Sequence, residues 1–189
     1  MFATETIALV SMPGGGKSTI GRHLAKRLNR GFTDTDAVIE QRIGCSISAF
    51  FAQAGESRFR QIESEVLAEL VDDTSGVIAT GGGIVLSEAN RAVLADHTTC
   101  VYLRSTPDEL FRRLRHDSKR PLLQVANPLA RLREMHAERD PLYRQVAHFV
   151  IDTGRPSVPT LVNMILMQLE LAGVIDPAHV PSPIDSPPG

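Results

Sequence analysis

Short apolar runs alternate along the chain with longer segments in which apolar residues recur every three or four positions. Such runs are typical of buried strands, and the recurring spacing is typical of amphipathic helices. The runs predict strands at 7–10, 31–34, 77–79, 99–103 and 149–151. The spacing predicts helices at about 19–28, 37–43, 57–71, 88–95, 107–114, 128–138 and 158–171.

Strands that alternate with helices favour a parallel sheet covered by helices on both faces, which is a three-layer α/β fold. Ligands of such sheets bind beyond the carboxyl ends of the strands. The 189 residues are about the length of one domain. We expect a single domain over residues 1–173. A flexible tail is expected at 174–189, because five of the last seventeen residues are prolines.

The most specific motif follows the first predicted strand and reads SMPGGGKST over residues 11–19. It matches the phosphate-binding pattern G-x-x-x-x-G-K-[ST] at every fixed position except the first. Glycines let backbone N–H groups point into one concavity around phosphate oxygens, and the following helix adds its positive N-terminal end. The predicted nucleotide-binding residues are Gly14, Gly15, Gly16, Lys17, Ser18 and Thr19. Lys17 is expected to reach the β- and γ-phosphates of ATP, and the Ser18 hydroxyl to ligate Mg²⁺.

Ser11 stands where the pattern has its first glycine. At a negative φ a serine is accommodated there with little strain, whereas a positive φ costs about 1 kcal/mol. The residue lies at the end of the strand, away from the tightest part of the turn. We therefore expect weaker nucleotide binding at most, and not loss of the site.

Charge and composition exclude several classes of function. A formal net charge of -2 gives no case for a nucleic-acid partner. The two cysteines share no motif spacing, the first basic residue is Lys17, and no apolar stretch approaches the ~20 residues of a membrane span. A cytoplasmic protein without membrane contact is therefore expected. All but three of the 20 basic residues are arginines, which suits an anionic ligand.

The phosphate-binding motif at residues 11–19 is predicted to form a phosphate cradle. Six further motifs follow this cradle in order along the chain. They are Asp34-Thr35-Asp36, Gly55-Glu56-Ser57-Arg58-Phe59-Arg60, Gly81-Gly82-Gly83, Arg120-Pro121-Leu122-Leu123, Arg139-Asp140-Pro141-Leu142-Tyr143 and Ile151-Asp152-Thr153. Each is weak alone. Together with the cradle they resemble the shikimate kinase family, motif for motif, over roughly residues 6–170.

The resemblance implies a fold and a reaction. The fold is similar to that of nucleoside monophosphate kinases, with a five-stranded parallel sheet in the order 2-3-1-4-5. The reaction transfers the γ-phosphoryl group of ATP to the 3-hydroxyl of shikimate in aromatic amino acid biosynthesis and uses Mg²⁺. The resemblance also implies a monomer, with a substrate-binding segment at about 35–65 and a mobile lid at about 112–124.

The same resemblance assigns roles around the substrate. Asp34 would help to hold Mg²⁺, usually through water. Asp36 would grip the substrate hydroxyls and act as the base for the attacking one. Arg60 and Arg139 would clamp the substrate carboxylate, which a forked guanidinium binds well. The Gly81-Gly82-Gly83 loop would let the backbone approach the substrate closely.

Three arginines are assigned to the nucleotide by the resemblance. Arg120, in the lid, would act with Lys17 on the transferring phosphoryl group, because a lid arginine stabilises charge and excludes water. Arg113 matches the family's adenine-stacking arginine. Arg155 lies in the region that contacts adenine from the other side.

Three alternative interpretations of the protein's function are compatible with the same residues. Another small P-loop kinase, for gluconate or a nucleoside monophosphate, would share the cradle, and gluconate is also a polyhydroxy acid. A non-catalytic relative would bind nucleotide or shikimate as a regulator, although the residues whose loss would signal this, such as Asp36 and Lys17, are present. The chain is also compatible with a domain of a longer enzyme. The six histidines show no ligand spacing, so no metal site built from histidine side chains is expected.

Overall fold

The structure, a computed structural model, describes residues 6–73, 75–115, 125–176 and 178. Its strands are β1 (Ile7–Val10), β2 (Phe32–Asp34), β3 (Val77–Ala79), β4 (Thr99–Arg104) and β5 (Phe149–Asp152). Its helices are α1 (Lys17–Leu28), α2 (Thr35–Ile43), α3 (Ile47–Ala54), α4 (Glu56–Asp73), α5 (Glu88–His97), α6 (Pro107–Leu114), α7 (Pro128–Val146) and α8 (Val158–Leu171). No helix in these described ranges is long and apolar enough to cross a membrane.

The strands form one five-stranded parallel sheet in the order β2-β3-β1-β4-β5, which confirms the expected order. β1 lies in the middle, with Ile7 opposite Val77 of β3 and opposite Thr99 of β4. Parallel strands end at a common edge, so the loops that follow β1, β2 and β3 are brought together there. These loops carry the cradle, the two aspartates and the three consecutive glycines.

Each face of the sheet has its own apolar core, because side chains along a strand point alternately to the two faces. Ile7 and Leu9 pack with residues of α1 and α8. Ala8 and Val10 pack with residues of α5, α6 and α7 on the opposite face. The whole of β1 is buried, and its sequence is therefore uniformly apolar instead of alternating.

A third, smaller apolar cluster joins α2, α3 and α4 beside the sheet. Helix α3 was not among the predicted helices. Ser46 caps it by accepting a hydrogen bond from the Ala49 N–H at 3.1 Å. The helix is short and none of its residues is fully buried, so its apolar stripe is too brief to stand out as a periodic pattern.

Helix α7 is longer than the pattern predicted, since it continues through Pro141 to Val146. A proline within a helix removes one backbone hydrogen bond. Tyr143 and Val146 are buried, and Ala147 N–H bonds to the Tyr143 carbonyl, so packing maintains the last turn despite the proline. The other predicted helices and strands are confirmed to within two residues.

Two predicted segments are only partly described. Of the expected tail, Val174 and Ile175 pack against the core around α1 and α8, so the packed chain extends beyond residue 173. Residue 177 and residues 179–189 lie outside the described residues. Of the expected lid at 112–124, residues 116–124 also lie outside them.

Replacing Leu24 by alanine should lower the free energy of unfolding by about 2–5 kcal/mol, because it leaves a cavity between α1 and α8. Leu24 is fully buried, whereas Leu171 of α8 is 78% exposed. Leu171→Ala is the matched control and should change the free energy of unfolding by less than about 0.5 kcal/mol. Urea unfolding followed by circular dichroism measures both values. Equal losses in the two variants would contradict this view of the core.

Candidate active site

The turn between β1 and α1 forms the predicted phosphate cradle. Gly14 and Gly16 have φ values of 82° and 81°, in the left-handed region that glycine adopts without strain. Gly16, the residue before α1, has no side chain that could cap the helix. The N–H groups of the first helical turn therefore remain available to an anion. The cradle lines a cleft of about 500 Å³.

Lys17, the first residue of α1, extends its side chain back toward the end of β1. Its Nζ donates to Ser11 Oγ at 2.9 Å and to Ser11 O at 3.1 Å, and Met12 O lies at 3.4 Å. Ser11 is fully buried. In the described ranges Asn29 is the one non-glycine residue with a positive φ, so Ser11 has no left-handed strain.

Asp34 connects the cradle to α2. Its Oδ1 accepts the Asp36 N–H at 2.9 Å, which caps α2, and its Oδ2 accepts the Ser18 hydroxyl at 2.7 Å. The two oxygen-bearing side chains that were predicted to serve Mg²⁺ therefore lie side by side in the cleft. Capping the helix and holding a metal are compatible roles for Asp34, because the carboxylate has two oxygens.

Asp36, in the first turn of α2, lines the same cleft as Lys17 and Ser18. Burial, followed by the nearby charge of Asp34, raises the pKa of the Asp36 carboxyl group. The positive charges of Lys17 and Arg60 oppose that rise. A carboxylate whose pKa is raised is a stronger proton acceptor than an ordinary exposed aspartate.

Arg60 of α4 lies against a buried carboxylate that the sequence analysis did not single out. Its Nη1 donates to Glu63 Oε1 at 2.9 Å, and its guanidinium lies 5.3 Å from the centre of the Phe59 ring. The Glu63 side chain is 1% exposed. Burial raises the pKa of Glu63, and the Arg60 charge opposes the rise. A signal was present in the sequence, since Glu63 interrupts the apolar stripe of α4 one turn after Arg60.

Arg139 of α7 acts on the same carboxylate, because its charge also lowers the pKa of Glu63. The Nε atoms of Arg60 and Arg139 are both buried and have no hydrogen-bond partner among the described residues. The charges of two guanidinium groups thus act on one buried carboxylate. Guanidinium groups bind carboxylates well, so the pair also suits an anionic ligand.

Gly81, directly after β3 and Thr80, marks the closest approach of two acidic side chains. A Cβ atom on Gly81 would lie 2.8 Å from Asp36 Oδ1 and 3.1 Å from Glu63 Oε2. Gly81 does not have a positive φ. Space, and not backbone conformation, therefore requires a glycine at this position.

The next two glycines make room for other parts of the site. A Cβ atom on Gly82 would lie 2.7 Å from the Pro13 ring in the cradle. A Cβ atom on Gly83 would overlap the Arg60 guanidinium. The glycine loop follows β3, as the sequence predicted. The atoms that lie closest to it in this structure belong to side chains of the site itself.

Tyr143 connects the arginine of α7 to the glycine loop. Its hydroxyl donates to the Gly82 carbonyl and also hydrogen-bonds to Arg139. Its ring packs on Tyr102 of β4 with 4.9 Å between the ring centres, and the Tyr102 hydroxyl donates to Asp140 at 2.7 Å. The Arg139–Tyr143 motif therefore positions α7 against both the sheet and the loop, a role that its residue types alone did not reveal.

Arg113 lies where the cleft meets a second pocket of about 220 Å³, and it lines both. Its Nη2 donates to Thr153 O at 3.0 Å. Arg155 is exposed and lines a separate cleft, whereas its neighbour Pro156 lines the second pocket. Arg120, predicted to act from the lid, lies outside the described residues.

Comparison with known proteins identifies the family. The model of the shikimate kinase family matches residues 13–170. The chain belongs to the shikimate kinase family. A shikimate kinase from Paracidovorax citrulli is 54% identical over 176 residues, which are 92% of this chain and 96% of the relative. Shikimate kinases transfer a phosphoryl group from ATP, so the predicted enzyme class is confirmed.

Solved structures agree with the fold. The shikimate kinase from Acinetobacter baumannii, solved in complex with shikimate, is 42% identical and superimposes with a TM-score of 0.85, over 91% of this chain and 96% of that chain. A gluconokinase from Sinorhizobium meliloti superimposes with a TM-score of 0.59 at 16% identity, over 90% of this chain and 94% of that chain. The gluconokinase likeness shows the fold alone, whereas the shikimate kinases share fold and sequence.

Replacing Glu63 by glutamine should raise the KM for shikimate about tenfold, because it removes the charge that holds Arg60 and Arg139 in place. The KM for ATP should stay within about twofold, since Glu63 does not line the nucleotide cleft. Steady-state kinetics with each substrate varied in turn measures both constants.

The matched control is Glu69→Gln, on the same helix. Glu69 is 53% exposed and pairs with Arg42 on the surface, so its substitution should leave both KM values unchanged. Equal increases in the two KM values of Glu63→Gln, or a similar effect of Glu69→Gln, would show that Glu63 does not organise the arginines.

Proposed function

We propose that this chain transfers the γ-phosphoryl group of ATP to the 3-hydroxyl of shikimate, with Asp36 at the point of transfer. One observation carries the proposal. Asp36 lines the cleft formed by the cradle, and its carboxyl group is within the influence of both Lys17 and Arg60. A phosphoryl donor in the cradle and a hydroxy acid held by the arginines therefore meet at this carboxylate.

The cradle accounts for the binding of ATP. Backbone N–H groups in the turn and at the N-terminus of α1 suit the β- and γ-phosphates. Lys17 adds a positive charge that stabilises the phosphoryl group during transfer. We place the adenine in the second pocket, with Arg113 against its ring, because Arg113 lines both that pocket and the cleft.

Ser18 and Asp34 fit a Mg²⁺ ion that binds together with the nucleotide. Both present oxygen ligands, which Mg²⁺ prefers, and their side-chain oxygens lie 2.7 Å apart in the cleft. Mg²⁺ commonly takes one or two protein ligands and completes its shell with phosphate oxygens and water. When bound, the ion neutralises charge on the phosphates.

The acceptor binds on the other side of Asp36. Its carboxylate binds to the guanidinium groups of Arg60 and Arg139, whose charges both act on Glu63. The lack of a side chain at Gly81 leaves room for the Asp36 carboxylate beside the loop. A ring anchored at its carboxylate then presents its hydroxyl groups to Asp36.

Asp36 serves as the general base in this proposal. As the acceptor oxygen bonds to the γ-phosphorus, its proton passes to the Asp36 carboxylate, and the bond from the γ-phosphorus to the bridging oxygen of ADP breaks. Lys17 stabilises the negative charge that moves onto the phosphates. The lid role of Arg120 rests on the family resemblance.

The expected monomer remains a prediction from the family resemblance. A cytoplasmic location remains a prediction from the sequence.

ADP release should occur with Mg-ATP and shikimate, and not with gluconate or a panel of nucleoside monophosphates. The clamp of two arginines discriminates against nucleoside monophosphates, and the proposed geometry places the shikimate hydroxyl at Asp36. A coupled ADP-release assay compares the acceptors. Release with gluconate instead would mean that the cradle is assigned correctly and the acceptor site is not. Nucleotide binding without release for any acceptor would favour a non-catalytic regulator.

Replacing Asp36 by asparagine should reduce kcat by at least about a hundredfold, because it removes the base while keeping the shape of the side chain. Mg-ATP should bind at least as tightly as in the original protein, since a negative charge beside the phosphates is removed. Asp96→Asn, at an exposed position on α5, is the control and should leave kcat unchanged. Near-normal turnover of Asp36→Asn would remove Asp36 from the mechanism.

The same variant has a second readout that depends on pH. The pKa of Asp36 is raised in the folded protein, so its ionised form destabilises the fold as the pH rises through the folded pKa. Asp36→Asn should therefore melt at a Tm equal to or above that of the original protein at pH 7. The difference should shrink as the pH falls toward the ordinary pKa of an aspartate. A lower Tm at pH 7 would show that the kinetic loss includes damage to the fold.

A further inference from the structure

Ser11 contacts the lysine of the cradle, although Ser11 itself does not line the cleft. Its hydroxyl donates to Met12 O at 2.8 Å, so an oxygen lone pair is left to accept from Lys17 Nζ at 2.9 Å. Ser11 and Met12 are buried and are not among the residues that line the cleft, whereas Lys17 is. An ammonium group has three donors, so a phosphate that binds Lys17 can replace the longest of the three contacts, with Met12 O at 3.4 Å, and the contact with Ser11 Oγ can persist.

The absence of a side chain at Gly15 leaves room for the side chain of Ser11. A Cβ atom on Gly15 would overlap Ser11 Oγ and lie 2.8 Å from Ser11 Cβ. Gly15 does not have a positive φ, unlike Gly14 and Gly16, and the phosphate-binding pattern leaves its position free. The shortest contacts that exclude a side chain at position 15 are therefore those with the serine at position 11.

We propose that Ser11 is a positioning residue for Lys17. The absence of a side chain at Gly15 leaves room for the Ser11 hydroxyl that makes this contact. A glycine at position 11, as in the pattern, offers the lysine only backbone carbonyls. Serine adds a buried hydroxyl that holds the ammonium group in one place before the nucleotide arrives. The departure from the pattern at position 11 and the glycine at position 15 thus form one coupled pair. This inference deepens the proposed function, on which it rests for the identity of the nucleotide.

Replacing Ser11 by alanine tests the hydroxyl alone, because the Cβ atom remains. The variant should bind Mg-ATP about fivefold more weakly by isothermal titration calorimetry, which corresponds to about 1 kcal/mol. The KM for ATP should rise by a similar factor, and the KM for shikimate should stay within about twofold. Calorimetry needs no phosphoryl transfer, so it tests this inference even if the acceptor assay fails.

Gly15→Ala tests the coupling between the two positions. In the original protein it should weaken Mg-ATP binding at least as much as Ser11→Ala, because the new methyl group displaces the hydroxyl. In a Ser11→Gly background it should add less than about a twofold loss, since the remaining short contact, with Met12 O at 3.1 Å, needs only a small shift. The two substitutions should therefore be non-additive.

Three outcomes would overturn the inference. Unchanged Mg-ATP affinity in Ser11→Ala, or equal changes in the KM for ATP and for shikimate, would mean that the hydroxyl only fills space. An equal loss from Gly15→Ala in both backgrounds would show that the positions are independent. Thermal unfolding of each variant without nucleotide separates these cases from loss of the fold. If Ser11→Ala is destabilised, Ser11→Gly supplies the affinity measurement instead, with the same fivefold loss expected.

Discussion

Two acidic side chains, the half-buried Asp36 of α2 and the buried Glu63 of α4, approach the same glycine at the edge of the sheet. The charge of Asp36 raises the pKa of Glu63, and burial raises the pKa of both. Such an arrangement persists only where positive charge compensates it. Arg60 and Arg139 supply that charge from two different helices, and the position of each helix is therefore constrained by the same pair of carboxylates.

The absence of side chains is as important to this site as the charges. The lack of a Cβ atom at Gly81 leaves room for the two carboxylates, and at Gly83 it leaves room for the guanidinium of Arg60. Gly15 admits the hydroxyl beside Lys17 in the same way. At Gly81 and Gly83 the neighbouring side chains come from other elements, whereas Ser11 belongs to the same turn as Gly15. These three glycines are thus explained by close contacts, whereas Gly14 and Gly16 in the cradle are explained by their positive φ.

This distinction explains what the sequence allowed us to predict. Local patterns predicted the strands, most helices and the cradle, because β1 is uniformly apolar and the glycines adjoin Lys17. The family resemblance placed Asp36 and the arginines. The role of Glu63 was not predicted, since its function depends on which arginines the fold brings to it. Helix α3 and the last turn of α7 were missed for a related reason: tertiary packing, and not local periodicity, stabilises them.

The buried charges also determine when the site is least stable. A carboxyl group whose pKa is raised by folding opposes folding once it ionises, and both Asp36 and Glu63 are of this kind. The ionised forms are nevertheless the ones that the proposed mechanism uses, since Asp36 is proposed to accept a proton and Glu63 pairs with Arg60. Without ligand, the Nε donors of Arg60 and Arg139 are buried and unpaired among the described residues. A ligand that binds to the folded protein at these arginines would offset part of that destabilisation. The residues proposed to prepare the site for chemistry thus lower the stability of the protein without ligand.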